Sequence, residues 1–348
     1  MAEGQVIRDE IESQPGVWMA TWRELLQSRE RLSALLFSQC WDGILFVGCG
    51  STYYLSLAAA SLHQQLTGQK TQASPSSEVV LFPAGVYPDV RQRVLMVAVS
   101  RSGETTETLQ AAEEHHRRGM PVLAITCDGD SRLAGLAEAA FACEEAREQS
   151  VPQTRSFTSM YLAAQYSSGL VAADDTYLAA LEALPEHGRD VLRRSADLAL
   201  SLAGQNWQRA VFLGSGPYYG LACEAMLKLK EMALAWSEAY HFPEFRHGPI
   251  SLVDKQTLVV GMLSDTAAEA EQAVLEEVAR LGGQTLAIGE RVAPETAGQA
   301  LSLESGLPEL ARGPLLLLPL QLLAYHRALE QGLDPQRPRH LRQVVVAV

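Results

Sequence analysis

GILFVGCGSTYYLSLAAASL, residues 43–62, decides how this chain is read, because it occurs twice. RAVFLGSGPYYGLACEAMLKL, residues 209–229, aligns to it without gaps. Phe46 falls on Phe212, Gly48 on Gly214, Gly50 on Gly216, Tyr53 on Tyr219 and Leu55 on Leu221. Downstream, RRGMPVLAIT from Arg117 matches RLGGQTLAIG from Arg280, with Gly119 on Gly282 and Leu123-Ala124-Ile125 on Leu286-Ala287-Ile288. Duplication of one unit explains this better than chance.

Both copies have the same grammar. An apolar strand (ILFVG; AVFLG) runs into Gly-x-Gly and then into a helical pattern. A second apolar run (VLMVAVS; TLVVGML), another helix and a third strand (PVLAIT; QTLAIG) follow. Strands that are apolar without alternation, separated by helices, predict an α/β fold of parallel strands buried on both faces. Right-handed crossovers should join them. Residues 172–194 are polar, contain Pro185 and Gly188, and read as a helical linker. Trp18, Trp22, Leu25 and Leu26 repeat at helical spacing, a stripe for packing rather than for a ligand.

The chain has 348 residues and 47 % apolar content, enough for two ordinary domains. A formal net charge of −13 argues against nucleic acid or an anionic membrane as partner. A small anion held by a local site is compatible with that charge. The five cysteines are odd in number and lack metal spacing, which suits reduced thiols in a cytoplasmic protein. The acidic N-terminus has no apolar core and reads as no signal peptide. The most apolar window, Gly313 to Leu329, is short and interrupted by proline, so no membrane span is expected.

Three stretches carry chemistry. The turn Gly48-Cys49-Gly50-Ser51-Thr52 opens a helix and suits an anion. It lacks the third glycine of a dinucleotide fingerprint. The junction VAVSRSGETTET, residues 97–108, sets Ser100, Ser102, Thr105 and Thr106 around Gly103. Capping is the ordinary use of such hydroxyls, and phosphate binding is the other. The second copy reads VVGMLSDTAAEAEQ, where Ser264 and Thr266 remain and the Ser-x-Ser-Gly core is gone. That asymmetry favours one phosphate site, in the first half. In the second half, Glu224, Lys228 and Glu231 share a helix face, while Leu221, Ala225, Leu229, Met232 and Trp236 form an apolar stripe. The charged face reads either as a solvated ion-paired surface or, with His247 in the following Gly-Pro turn, as a proton shuttle beside a carbonyl.

These stretches resemble the sugar isomerase (SIS) domain family, in the tandem arrangement of the isomerase half of glucosamine-6-phosphate synthase. The marks are GCGSTYY, SRSGETTET, SVPQTRSFT, LKLKEMALAWSEAYHFPEFRHGP and HLRQVVV, in that order. The resemblance implies two αβα, flavodoxin-like domains, each with a mostly parallel five-stranded sheet. The expected boundaries are an extension at 1–20, a first domain at 21–175, a linker at 176–195 and a second domain at 196–348. It implies a homodimer with sites shared across the interface, a sugar-phosphate substrate and no metal or redox cofactor. The phosphate would be held at Gly50, Thr52, Ser100, Arg101, Ser102 and Thr105, with Arg101 where the synthase usually has glutamine. The sugar would lie near Ser51, Val151 and Arg155. Glu231 matches the proton-transferring glutamate, Lys228 the lysine beside it, and His247 the histidine that assists ring opening.

Two departures from the synthase are expected to matter. Residue 2 is Ala and no glutaminase domain precedes the repeat, so glutamine is not expected to be the nitrogen donor within this chain. The lysine that forms a Schiff base in the synthase is matched by Gln343, next to Arg342, and an amide forms no imine. SVPQTRSFT is closer to stand-alone aminosugar-phosphate deaminases. The expected activity is therefore deamination with isomerisation of glucosamine 6-phosphate. An aldose–ketose isomerase, a fructosamine-phosphate deglycase and a non-catalytic sugar-phosphate sensor are the alternatives.

Overall fold

The computed structural model describes residues 4–87, 91–293 and 298–344. One sheet contains β1 (Gly43–Gly48), β2 (Thr71–Pro75), β3 (Val94–Ser100), β4 (Val122–Thr126) and β5 (Ala139–Ala142), in the order β2-β1-β3-β4-β5. The other contains β6 (Arg209–Gly214), β7 (Trp236–Tyr240), β8 (Thr257–Met262), β9 (Gln284–Gly289) and β10 (Gln299–Ser302), in the order β10-β9-β8-β6-β7. All pairings are parallel. Read from the other edge, the second order repeats the first strand for strand.

Parallel sheets need cover on both faces, and the residues supply it. Leu45, Val47, Met96, Ala98, Val122 and Ala124 pack with Leu109, Ala111 and Ala112 of the Thr106–Arg117 helix on one face. The alternate positions Ile44, Phe46, Leu95, Val97, Leu123 and Ile125 are buried as well, on the opposite face. Each such side chain contributes roughly 1.5–3 kcal/mol by leaving water. In the second sheet Val211, Leu213, Val259 and Ala287 join Phe242, Phe245, Val274 and Val278.

The duplicated turns have the same shape. Gly50 (φ 58°, ψ −124°) and Gly216 (φ 55°, ψ −129°) each precede a 17-residue helix, Ser51–Thr67 and Pro217–Ala233. The preceding glycines are spatial requirements. A Cβ on Gly48 would lie 2.5 Å from the Thr52 backbone, and one on Gly214 would lie 2.4 Å from the Tyr218 carbonyl oxygen.

The chain divides into two compact units. The first-sheet unit comprises Ser13–Glu148, Gln153–Pro185 and the segment from Arg342. The second-sheet unit comprises the segment up to Glu12, Gln149–Pro152 and Glu186–Leu341. Residues 176–195 lie within one helix, Asp175–Ala203.

Two helical stripes need correction. Trp18, Trp22 and Leu25 are buried in the Gln14–Leu36 helix, but Leu26 is exposed. The Pro217–Ala233 helix ends before Trp236, because Leu234 turns left-handed (φ 50°) and Trp236 starts β7, 70 % exposed. Among the described residues no helix is long and apolar enough to cross a membrane.

Candidate active site

In the first-sheet unit, the loop after β3 turns on Gly103 (φ 64°), where a Cβ would collide with Ser131 Oγ at 2.1 Å. The chain closes around that turn. Ser100 Oγ accepts the Gly103 N–H (3.1 Å) and lies 3.3 Å from Thr105 Oγ1, while Ser102 Oγ accepts the Glu104 N–H (3.1 Å). Thr105 is the N-cap residue of the Thr106–Arg117 helix, but its side chain caps nothing. The capping alternative therefore fails for Thr105. From below, Cys127 N–H and Thr126 Oγ1 both donate to the Arg101 carbonyl (3.0 and 3.3 Å).

The Gly-x-Gly turn behaves differently. Thr52 Oγ1 accepts the Cys49 N–H (2.9 Å) and donates to the Cys49 carbonyl (3.0 Å), so this hydroxyl closes the turn itself. Ser51 is buried, and Gly50 has open space where a side chain would be.

Arg101 reaches Glu148 Oε2 (3.3 Å) and the Gln343 carbonyl oxygen (3.1 Å). Gln343 Nε2 in turn donates to the Glu148 carbonyl (3.1 Å). Glu148 was not apparent from the sequence, yet it is the hub of this side of the site. Its fully buried carboxylate accepts Thr154 N–H and Oγ1 (2.7 Å each), Ser156 N–H (3.3 Å) and the Ser156 hydroxyl. It thereby pins the start of the Arg155–Ala172 helix. Arg155 is held by the Arg147 carbonyl (3.1 Å) and Ser13 Oγ (3.2 Å). The structure thus gathers Ser51, Thr52, Ser100, Arg101, Ser102, Thr105, Arg155 and Gln343 in one unit.

Val151 belongs to the other unit, with its N–H donating to the Gln336 carbonyl (3.0 Å). There the Pro217–Ala233 helix carries the charged face. Lys228 Nζ lies 2.6 Å from Glu231 Oε2 and 3.2 Å from Glu224 Oε1. The Lys228 and Glu224 side chains are 1 % and 0 % exposed, and Glu231 is 17 % exposed. A solvated ion-paired surface is excluded by that burial. Burial pulls the Lys228 ammonium down, but the charges of Glu224 and Glu231 outweigh it and the net shift is upward. A buried cation between two carboxylates, with one carboxylate reaching solvent, can hold a base in place and balance its charge. His247 is exposed in the turn after the short helix Phe242–Phe245, its N–H bonded to the Glu244 carbonyl (3.0 Å).

The comparisons with known proteins agree with this architecture. An SIS domain model matches residues 39–167 and 205–330. The glutamine–fructose-6-phosphate aminotransferase (isomerizing) of Gloeobacter violaceus is 31 % identical over 358 residues, covering 97 % of this chain and 58 % of that protein. The chain spans about half the length of the curated relatives it matches. Among solved structures, a glucosamine-6-phosphate deaminase from Thermotoga maritima is 28 % identical with a TM-score of 0.80, covering 97 % of this chain and 99 % of that one. The tagatose-6-phosphate ketose/aldose isomerase of Escherichia coli is 25 % identical with a TM-score of 0.83, covering 96 % of each. Two matched segments, two sheets of one strand order and two Gly-x-Gly turns of one geometry lead to the same conclusion: the chain belongs to the SIS domain family.

Proposed function

We propose that this chain is a phosphosugar-processing enzyme that deaminates and isomerises an aminosugar phosphate, converting glucosamine 6-phosphate and water to fructose 6-phosphate and ammonia. The observation that carries the reading is the Glu224–Lys228–Glu231 cluster, a carboxylate with access to solvent held against a buried ammonium. The similarity to the Thermotoga deaminase along nearly the full length of both chains supports it. Phosphate recognition is assigned to the loop Ser100–Thr105, with Ser51 and Gly50 of the neighbouring turn. In this reading Arg101 shapes that loop through Glu148 and Gln343.

His247, contributed by a second copy of the chain, assists ring opening to the aldehyde. Glu231 then removes the proton from C2, the carbon bearing nitrogen, and the electron pair forms the enolamine. The same carboxyl returns the proton to C1, leaving an imine at C2. Water adds to that imine, ammonia leaves, and the ketose phosphate is released. Lys228 balances the charge of Glu231 through these steps. Gln343 offers an amide, so imine hydrolysis proceeds without an enzyme-bound Schiff base at that position.

A second reading, a ketose/aldose isomerase, is favoured by the similarity to the Escherichia coli isomerase and uses the same proton transfer. Product analysis separates the two. With glucosamine 6-phosphate, ammonia and fructose 6-phosphate should appear in equal amounts, and Glu231→Gln should lower the rate by about 10²–10⁴-fold. Turnover of neutral ketose phosphates with no ammonia from the aminosugar would replace the first reading by the second. Undiminished turnover by the Gln variant would remove Glu231 from both.

A further inference from the structure

The second-sheet unit repeats the loop after β3 at the same place in its sheet, after β8. Ser100 Oγ accepts the N–H of Gly103 (3.1 Å), and Ser264 Oγ accepts the N–H of Ala267 (3.0 Å). Both are contacts from a serine to the third residue on, so Asp265 stands for Arg101 and Thr266 for Ser102. In the second copy these donors are in use. Glu309 Oε2 accepts the Asp265 N–H (2.9 Å), the Thr266 N–H (3.1 Å) and the Thr266 hydroxyl (3.1 Å). Beside it, Glu271 Oε2 accepts the Ser264 N–H (2.6 Å) and hydroxyl (3.0 Å).

We infer that the second unit keeps a working oxyanion cradle, and that the chain's own Glu309 carboxylate occupies it in place of a phosphate or sulfate. Three donors converging on one oxygen suit a carboxylate or another oxyanion, because hydrogen bonds to an ionised acceptor are roughly twice as strong as neutral ones. Arg312, whose side chain is 2 % exposed, is already paired: it holds the Asp265 carboxylate of the same loop (3.0 Å from Nη1) and lies 3.7 Å from Glu290 Oε2. Glu309 is half-buried, and its backbone carbonyl is fixed by the Tyr218 hydroxyl (2.9 Å). The carboxylate is therefore tethered at the donors yet borders solvent. The loss of Ser-x-Ser-Gly from the second copy is then a change of occupant. The class of ligand, a tetrahedral oxyanion, rests on the phosphate reading of the first loop, whereas the occupancy by Glu309 does not.

The test uses the full chain and inorganic sulfate, with ionic strength held constant by sodium chloride. Glu309→Ala should bind one more sulfate per chain than the unmodified protein in calorimetric titration. Sulfate should also restore at least half of the melting temperature the variant loses, and chloride should restore none. A variant with unchanged sulfate stoichiometry and no sulfate-specific recovery overturns the inference. If Glu309→Ala does not fold, Glu309→Gln is measured, since its amide keeps one acceptor but lacks charge. Sulfate should then raise its melting temperature more than that of the unmodified chain, and an equal response overturns the inference. Repeating both in a Ser100→Ala/Ser102→Ala background isolates the second cradle. No sulfate bound by the unmodified chain, with one gained on Glu309→Ala, would sink the phosphate reading of the first loop and leave this one standing.

Discussion

Gly103 is the residue on which the first loop depends. An L side chain there meets two penalties at once, a left-handed backbone and a Cβ 2.1 Å from Ser131 Oγ. Holding such a conformation costs about 1–3 kcal/mol before the clash is relieved. On the proposed phosphate role of this loop, Gly103→Ala should raise KM for the sugar phosphate while changing kcat far less, which steady-state kinetics will show. Lys228 is the complementary case, a charge that cannot be removed alone. Lys228→Met leaves the fully buried Glu224 carboxylate without its cation, and a broken buried pair costs about 3–5 kcal/mol. Chemical denaturation should register a loss of that size, larger than for Glu231→Gln at the partly exposed end of the same cluster.

At the scale of the element, the Gln14–Leu36 helix contains a built-in response to pH. Burial first, then the charges of Glu145 and Glu144, push the Glu24 carboxyl up to about 7. A raised carboxyl binds its proton more tightly in the folded than in the unfolded chain. Its ionisation therefore weakens the fold as pH rises from the ordinary carboxylate range towards 7. Glu24→Gln should melt higher than the unmodified protein at pH 8, and the gap should close at pH 5. The elements themselves were unequally legible. The central strands β1, β3, β4, β6, β8 and β9 each contain a continuous apolar run because both faces are covered. The edge strands β2, β7 and β10 mix buried and accessible positions and carry no such run, and β5 is apolar but only four residues long. The hydroxyl loop could be read because its donors are consecutive. Glu148 could not, because Arg101 is 47 positions away and the other groups it accepts from are useful only once the chain has turned back to it.

For the whole molecule, the proposed sharing of His247 between copies makes a quantitative demand. Glu231→Gln and His247→Asn should each be inactive alone. Co-expressed in equal amounts, they should recover about a quarter of full activity, since half of the random dimers are mixed and each mixed dimer holds one intact site. No recovery despite mixed dimers, detected with two affinity tags, would place both residues of a site in one chain. Duplication was visible in the sequence because glycines with fixed spatial duties, Gly48 and Gly214, cannot drift.

Neither unit is a continuous length of chain. The second-sheet unit includes the segment ending at Glu12 and the short piece Gln149–Pro152, and the first-sheet unit takes back the residues from Arg342. On a ribosome, the first-sheet unit therefore lacks its Gln343 contacts with Arg101 and Glu148 until the intervening second-sheet segment Glu186–Leu341 has been made. The second-sheet unit's earliest helix, Gln5–Glu12, waits in the meantime for strands not yet synthesised. Completion of the first-sheet unit thus follows synthesis of the second, and the loop after β3 gains its Gln343 contact only once the strands of both sheets have been made.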